Sequence, residues 1–425
     1  MSEWRYQTLD EHIRRGNIEL GRGDVISKID IEKYPGPYPI YSSSAQGDGK
    51  FGEYGKFMFD EELISWSVDG GGNFFYRPKH QFSVTNVSGY LRIKTKELGY
   101  RFLYYSLALQ HRDISFDYTT KAHPSVIKKL YSVPSIPKTE QDRIAEILST
   151  LDEAIEQTEA LIAKHQQIKA GLMHDLFTRG VTPDGHLRLT REQAPDLYNE
   201  SPLGWIPKEW DACPIESLLD RIIDYRGKTP TKTIEGIPLI TAKNIRMGYI
   251  APEPREFIAE RDYPTWMTRG IPANTDVVFT TEAPLGNVAQ IGTSEKVAFA
   301  QRVIILQPGA RVCPDFLRLL LMAEPFQHSV FRFSSGTTAL GVKQSEFRKV
   351  MVACPVLREE QQFISDKLQA LEAYEAMEAS RMQKLRQQKN GLMHDLLTGC
   401  VRVPLAKTKV VSTMAHAPSD LEPNT

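Results

Sequence analysis

Two His-Asp pairs, His174-Asp175 and His394-Asp395, are the first residues whose types could do chemistry, because an imidazole beside a carboxylate can bind a metal ion or act as a general base. Both sit in the same apolar frame, LMHDL, at corresponding ends of two amphipathic stretches. That placement favours a structural role, as helix C-terminal or interhelical hydrogen-bonding groups. GDGKFG at 47–52 fits the bare GxGxxG spacing, yet it follows SSSAQ rather than an apolar strand and opens no helix, so it reads as a turn or a close backbone approach to a ligand. Cys213, Cys313, Cys354 and Cys400 are too scattered for a zinc site and point to a reduced, cytoplasmic protein. No GxxxxGK[ST], GxSxG or HExxH spacing occurs. No catalytic residue, metal ligand or cofactor site is therefore expected.

Recognition chemistry remains. Polar loops lie between strand-length apolar runs such as IPLIT (237–241), DVVFTT (276–281) and RVIILQP (302–308). They carry Tyr41, Ser43, Gln46 and Lys50, then Thr119, Thr120 and Lys121. Further on come Thr241, Lys243, Asn244 and Arg246, followed by Ser335, Thr337, Thr338 and Lys343. Lys and Arg neutralise phosphates, whereas Asn, Gln and Arg present paired donors and acceptors that match base edges. One such loop would mean little, since surface loops are polar anyway; their recurrence at equivalent places carries the weight.

The elements that must position these loops are organised by a duplication. GLMHDLFTRGV (171–181) and GLMHDLLTGCV (391–401) are offset by 220 residues, and 16 of the 42 positions from Glu140 and from Glu360 onward are identical. Each copy reads as a long amphipathic helix. Ile144, Leu148, Leu151, Ile155, Ile162 and Leu172 fall at helical spacings in one; Ile364, Leu368, Leu371, Met382, Leu385 and Leu392 do so in the other. Prolines (Pro134, Pro137, Pro355) precede them and Gly180 or Gly399 follows. At ~1.5 Å per residue, ~39 residues give a rod of about 58 Å, so the two are expected to pair as an antiparallel coiled coil.

The expected organisation is a mixed α+β chain of two duplicated β-rich domains joined by two long helices, with pseudo-twofold, circular symmetry. Its segments are 1–133 (β-rich domain), 134–181 (helix), 182–201 (linker), 202–353 (β-rich domain), 354–403 (helix) and 404–425 (disordered tail). The formal net charge of −1 excludes a globally basic binder. Split by segment, residues 1–133 and 202–353 each hold 18 basic and 16 acidic side chains, whereas 134–201 hold 7 and 12. No signal peptide or apolar 18-residue stretch occurs.

Several features together resemble the specificity subunits of type I restriction-modification enzymes. They are the Glu-Gln opening of each helix (IPKTEQDRI, 136–144; PVLREEQQFI, 355–364), the GLMxxLLTG-like endings, LGWIPKEW (203–210) and GTTALGVKQSEF (336–347). The resemblance implies that each β-rich segment is a target recognition domain reading one half of a split DNA sequence. The helices would set the spacer and dock two methyltransferase subunits, with restriction/translocase subunits recruited to the complex. It also implies that this chain is non-catalytic, with S-adenosylmethionine, ATP and Mg held by those partners. Under it, Lys243, Arg246, Arg302 and Lys343 contact phosphate or guanine, and Asn244, Asn287, Gln301, Thr337 and Thr338 contact base edges or backbone. Asn73, Asn86, Thr119, Thr120 and Lys121 are the counterparts in the first domain. The chain departs from the family at the His-Asp pairs and at AHPSVIKKL (122–130). The competing readings are a protein-assembly scaffold that binds no DNA, and a self-sufficient enzyme, which the missing cofactor motifs disfavour.

Overall fold

The structure, a computed structural model, describes residues 4–43, 47–116, 121–225, 230–334 and 340–403. The chain forms two units, Met1–Glu159 with Ser380–Thr425, and Ala160–Ala379. The division falls inside both long helices, so each unit holds one β-rich part, the start of one helix and the end of the other.

In unit 1, β1 (Ile18–Arg22), β2 (Tyr38–Tyr41), β3 (Lys50–Tyr54), β4 (Phe59–Ser67), β5 (Phe74–Val84) and β6 (Ser88–Ile93) form one sheet in the order β1-β6-β4-β5-β2-β3. Neighbours are antiparallel except β2 and β5, which run parallel with Tyr41 opposite Val84. The unbroken LISWS of β4 suits a strand covered on both faces. Ile64 and Trp66 pack on one face with Leu91 and with Phe102 and Leu103 of helix α1 (Tyr100–His111), while Leu63 packs on the other with Phe82 and Val84. That split is the strand alternation of period two.

Unit 2 repeats the plan. Strands β7 (Leu219–Asp224), β9 (Val277–Thr281), β10 (Leu285–Gln290) and β12 (Val303–Pro308) form an antiparallel sheet in the order β7-β12-β9-β10. β8 (Ile237–Ile240) lies parallel to β11 (Ala298–Phe299). Val277, Phe279, Ile304 and Leu306 pack with helix α3 (Pro314–Met322), whereas Val278 and Ile305 belong to the opposite face.

The long helices are α2 (Lys138–Thr178) and α4 (Arg358–Leu397), which begin immediately or shortly after Pro137 and Pro355. The Glu-Gln pair that opens each has a divided task. Gln141 accepts from Gly99 N at 3.0 Å and donates to Glu97 O and Ile136 O, both at 2.9 Å. Gln361 likewise accepts from Cys313 N at 2.8 Å and donates to Arg311 O and Pro355 O. Each glutamine thus satisfies a backbone N–H at the start of α1 or α3, half-buried at Gly99 and buried at Cys313. The glutamates instead hold the chain that leaves the other helix. Glu140 accepts from Nε and Nη2 of Arg402 at 2.6 and 2.8 Å. Glu360 accepts from Arg188, Trp210 Nε1 and Val181 N.

The repeated LMHDL endings are core residues. Met393, Leu396 and Leu397 of α4 join Ile144 and Leu148 of α2 in the unit 1 core. Leu176 and Phe177 of α2 join Ile364 and Leu368 of α4 in unit 2. Both helices then break at glycines with positive φ, Gly180 at 64° and Gly399 at 75°, where a side chain would strain the backbone. Ion pairs link the helices inside each unit: Lys389–Asp152 and Arg386–Glu159 in unit 1, Lys169 with Glu372 and Glu375 in unit 2.

Residues 182–201 differ from the expected linker. Arg188 and Tyr198 are buried, Val181 bridges Leu187, and Tyr198–Ser201 pairs with Gly204–Pro207 as a hairpin. The segment is a strap, because the buried Glu360 needs the Arg188 charge beside it. The tail 404–425 lies outside the described residues.

Candidate nucleic-acid interface

Six backbone hydrogen bonds build the same frame in both units. Thr85 N donates to Tyr41 O at 2.9 Å, as Ala300 N does to Ile240 O. Val68 N donates to Val87 O and Thr281 N to Arg302 O, each at 3.0 Å. Ala122 N reaches Val68 O at 3.1 Å and Val342 N reaches Thr281 O at 3.0 Å. In each unit these bonds bring four chain segments to one rim at the strand ends.

The rim of unit 1 carries Ser43, Asp69, Asn86 and Lys121. Ser43 Oγ donates to Val87 O, and Thr85 Oγ1 donates to Ser42 Oγ at 2.9 Å. Lys121 pairs with Asp69 at 3.0 Å. Asn86 is exposed, and its carbonyl accepts from Arg22, an exposed cation that no motif marks. Tyr41 is buried behind this rim, with its hydroxyl 3.1 Å from His80 Nε2 and its ring 3.5 Å from the Arg77 guanidinium. Burial pushes the Tyr41 hydroxyl up and Arg77 down to about 10. Arg77 donates to Asp48 O at 2.6 Å and so fixes the glycine-rich turn, in which Lys50 pairs with Glu53 at 2.6 Å. Asn73 Oδ1 lies 3.1 Å from His111 Nε2, and its carbonyl accepts from Ser67 N at 3.1 Å.

The rim of unit 2 surrounds a cavity of about 180 Å³ whose lining includes Lys232, Thr241, Lys243, Gln301 and Arg302. Lys243, Arg302 and Lys343 are exposed; Arg302 pairs with Glu282 at 3.3 Å and Lys232 with Glu256 at 2.7 Å. Lys343 directly follows Val342, which is anchored to Thr281. Lys232 is a second cation that sequence reasoning missed.

Asn244 is a correction. It is 2% exposed, its Oδ1 accepts from Thr241 N and Oγ1 at 3.0 and 2.9 Å, and its Nδ2 donates to Ala251 O and Pro254 O at 3.2 and 3.0 Å. A carboxamide with all four positions filled has nothing left for a base edge; Asn244 instead holds the turn that displays Lys243. Asn287 is likewise engaged, donating to Ile245 O at 2.7 Å. Arg246 is exposed on the adjacent Ile245–Arg246/Tyr249–Ile250 hairpin, outside the cavity lining. Gln46, Thr119, Thr120, Ser335, Thr337 and Thr338 lie outside the described residues.

The other chemical candidates have local explanations. His174 Nδ1 lies 3.8 Å from Glu324, and Asp175 pairs with Arg179 at 3.1 Å. No group of three or more His, Cys, Asp or Glu able to hold a metal is found among the described residues. The four cysteines are free thiols, and burial pushes Cys354 up to about 12, which keeps it protonated and unreactive. No described helix is long and apolar enough to cross a membrane.

The family model for the type I restriction modification DNA specificity domain matches residues 16–166 and 268–387, a segment in each half of the duplication. The chain belongs to this family. It is 25% identical over 410 residues to the type I restriction enzyme MjaVIII specificity subunit of Methanocaldococcus jannaschii, covering 92% of this chain and 93% of that one. The fold is similar to the crystal structure of a type I restriction-modification system S subunit from M. genitalium, with a TM-score of 0.59 and 18% identity over 93% of this chain and 96% of that one. A chain from a structure addressing complex assembly and conformational transition of the type I R-M system gives a TM-score of 0.53 at 15% identity, over 94% and 98%. Family membership makes this chain a DNA-recognition component without catalytic activity of its own, and sets aside the scaffold and self-sufficient-enzyme readings.

Proposed function

We propose that the two rims read the two halves of a split DNA target, and that α2 and α4 pair as an antiparallel coiled coil that sets the spacer between them. The observation that carries this reading is the shared rim frame, filled with different side chains in each unit. A duplicated frame with divergent display suits two half-sites of different sequence. In unit 2, Lys243, Arg302, Lys343 and Lys232 supply phosphate or guanine contacts, with Gln301 and Thr241 at base edges. In unit 1, Asn86, Ser43, Lys121 and Arg22 take those places. The ion pairs between the helices in each unit run in antiparallel register, Asp152 opposite Lys389 and Glu372 opposite Lys169, and support the coiled coil. Half-sites on one face of a duplex recur every ~34–36 Å, so a rigid spacer becomes a fixed number of base pairs.

The chain binds no cofactor in this reading. Two methyltransferase subunits dock on the helices and methylate adenine at N6 with S-adenosylmethionine, while restriction/translocase subunits use ATP and Mg, all in the cytoplasm where the DNA lies. The test exchanges residues 202–353 for the corresponding segment of a relative and maps methylated adenines in cells also carrying the methyltransferase. One half of the recognised sequence is expected to change. A change in both halves, or in neither, overturns the division of labour.

A further inference from the structure

The helix pair carries a second repeated device that the rims do not use. In unit 1 the Asp152 carboxylate accepts from the Tyr105 hydroxyl of α1 at 2.6 Å and pairs with Lys389 of α4. In unit 2 the Glu372 carboxylate takes Arg318 of α3 at 3.2 and 2.7 Å and Lys169 of α2 at 3.2 Å. The acids and the lysines are each offset by 220 residues, so both belong to the duplicated frame. The lysine is kept, the acid lengthens from Asp to Glu, and the group offered by the β-rich part changes from a phenol to a guanidinium. Each acid therefore joins three elements: its own long helix, the other long helix, and the first helix after the sheet.

The apolar core that each β-rich part shares with the helices holds it in place without fixing direction. Two polar joints add direction. Gln141 and Asp152 are 11 residues apart, as are Gln361 and Glu372. Eleven residues make about three helical turns, so glutamine and acid lie on one face, separated by about 16 Å along the axis. The glutamine grips the start of α1 or α3, and the acid grips a side chain further along it. Two grips on one short helix fix its direction as well as its position.

We propose that Asp152 and Glu372 are positioning residues that fix the angle of each β-rich part on the helix pair, and with it the spacer length that is accepted. The inference rests on the reading above, in which each β-rich part reads one half-site. Ion pairs of this partly buried kind contribute little net stability, and in some proteins they select one arrangement over its neighbours. Loss of the acid leaves the glutamine grip and the apolar core in place. The β-rich part then swings, and its rim reaches DNA displaced along the groove.

The test uses the full chain expressed with its methyltransferase and a map of methylated adenines. The native chain gives two half-sequences at a single spacing. Glu372→Gln and Asp152→Asn should keep both half-sequences and add sites one base pair longer or shorter, at about a tenth of the native level or more. Asp152→Glu, which copies the unit 2 acid, should restore the single spacing, as should the exchange Asp152→Lys with Lys389→Asp, where the neutral Tyr105 tolerates either charge. A single spacing in folded Gln and Asn variants overturns the proposal. If those variants do not fold, the exchange decides: folded chain with relaxed spacing overturns it. Loss of half-sequence reading by the native chain would instead overturn the DNA-reading proposal itself.

Discussion

At the rim of unit 1 the exposed cations are already engaged, Lys121 by Asp69 and Arg22 by the carbonyl of Asn86, and the remaining display is hydroxyl and amide. At the rim of unit 2, Arg302 and Lys232 are paired with Glu282 and Glu256, but Lys243 and Lys343 have no ion-pair partner among the described residues. The backbone frame is the same, so the difference lies in the side chains it carries. A cationic rim gains affinity by releasing counterions from DNA, without regard to sequence, whereas a hydroxyl-amide rim discriminates with little electrostatic gain. The glutamate latches differ in a parallel way. In unit 2, Glu360 meets Arg188, whose side chain is 5% exposed; in unit 1, Glu140 meets Arg402, whose side chain is 62% exposed.

The latches offer the largest test. Glu360→Ala leaves an indole N–H and a backbone N–H unpaired and takes the nearest carboxylate from the buried Arg188, which keeps Glu209 at 3.4 Å and Arg179 O at 3.2 Å, and should cost about 3–5 kcal/mol. Glu140→Ala releases an arginine that already reaches water and should cost about 1 kcal/mol or less. Hydrogen exchange should accelerate across the 182–207 strap in the first variant and far less around residues 400–403 in the second. Similar acceleration in both would remove the asymmetry.

Asn244→Ala comes next. It takes the side-chain partner from the half-buried Thr241 N–H and from the carbonyls of Ala251 and the exposed Pro254, at about 1–3 kcal/mol in all, and should erase reading by unit 2 while unit 1 still reads its half. Lys243→Ala should leave the melting temperature unchanged. If both variants behave alike, Asn244 has no special positioning role.

DNA binding against salt sharpens the rim comparison. Lys243→Ala and Lys343→Ala should each flatten the slope of log affinity on log salt by about one. Ser43→Ala and Asn86→Ala should leave that slope alone and cost about 1–3 kcal/mol of discrimination at one half-site. A flatter slope from the unit 1 variants would show that its rim also works through charge.

The smallest effect is on acid stability. Burial opposes ionisation of Glu372, but hydrogen bonds from Arg318 and the charges of Arg318 and Lys169 outweigh it and hold the carboxyl below its usual 4.5. The ionised form therefore favours the folded state at pH above 4.5, and that contribution is lost as pH falls below it. Unit 2 should lose stability over that acid range, and Glu372→Gln should flatten the decline in an unfolding series.

Much of this was legible in the residues. The 220-residue duplication, the proline starts and glycine ends of the helices, and the strand-length runs are local patterns with local causes. Loop polarity found the rim positions Ser43, Lys121, Thr241, Lys243 and Lys343, and the family resemblance added Asn86, Gln301 and Arg302. It could not tell them from Asn244, whose amide is consumed inside its own turn, because an amide looks the same in sequence whether it faces solvent or four backbone and side-chain partners. Arg22 and Lys232 were missed for the converse reason: nothing nearby in sequence marks them, and strand pairing brings them to the rims.

The Glu-Gln motif shows where that boundary lies. Sequence alone determined that the pair recurs and that each copy opens a long helix, since repetition and helical periodicity are properties of the linear chain. That the glutamine grips its own β-rich part while the glutamate grips the strap leaving the other helix was decided only by tertiary structure. Those partners stand 172 residues away for Glu360 and 262 for Glu140. Hydrogen bonds act over about 3 Å of space, and no pattern of spacing along the chain encodes which distant segment will fill it.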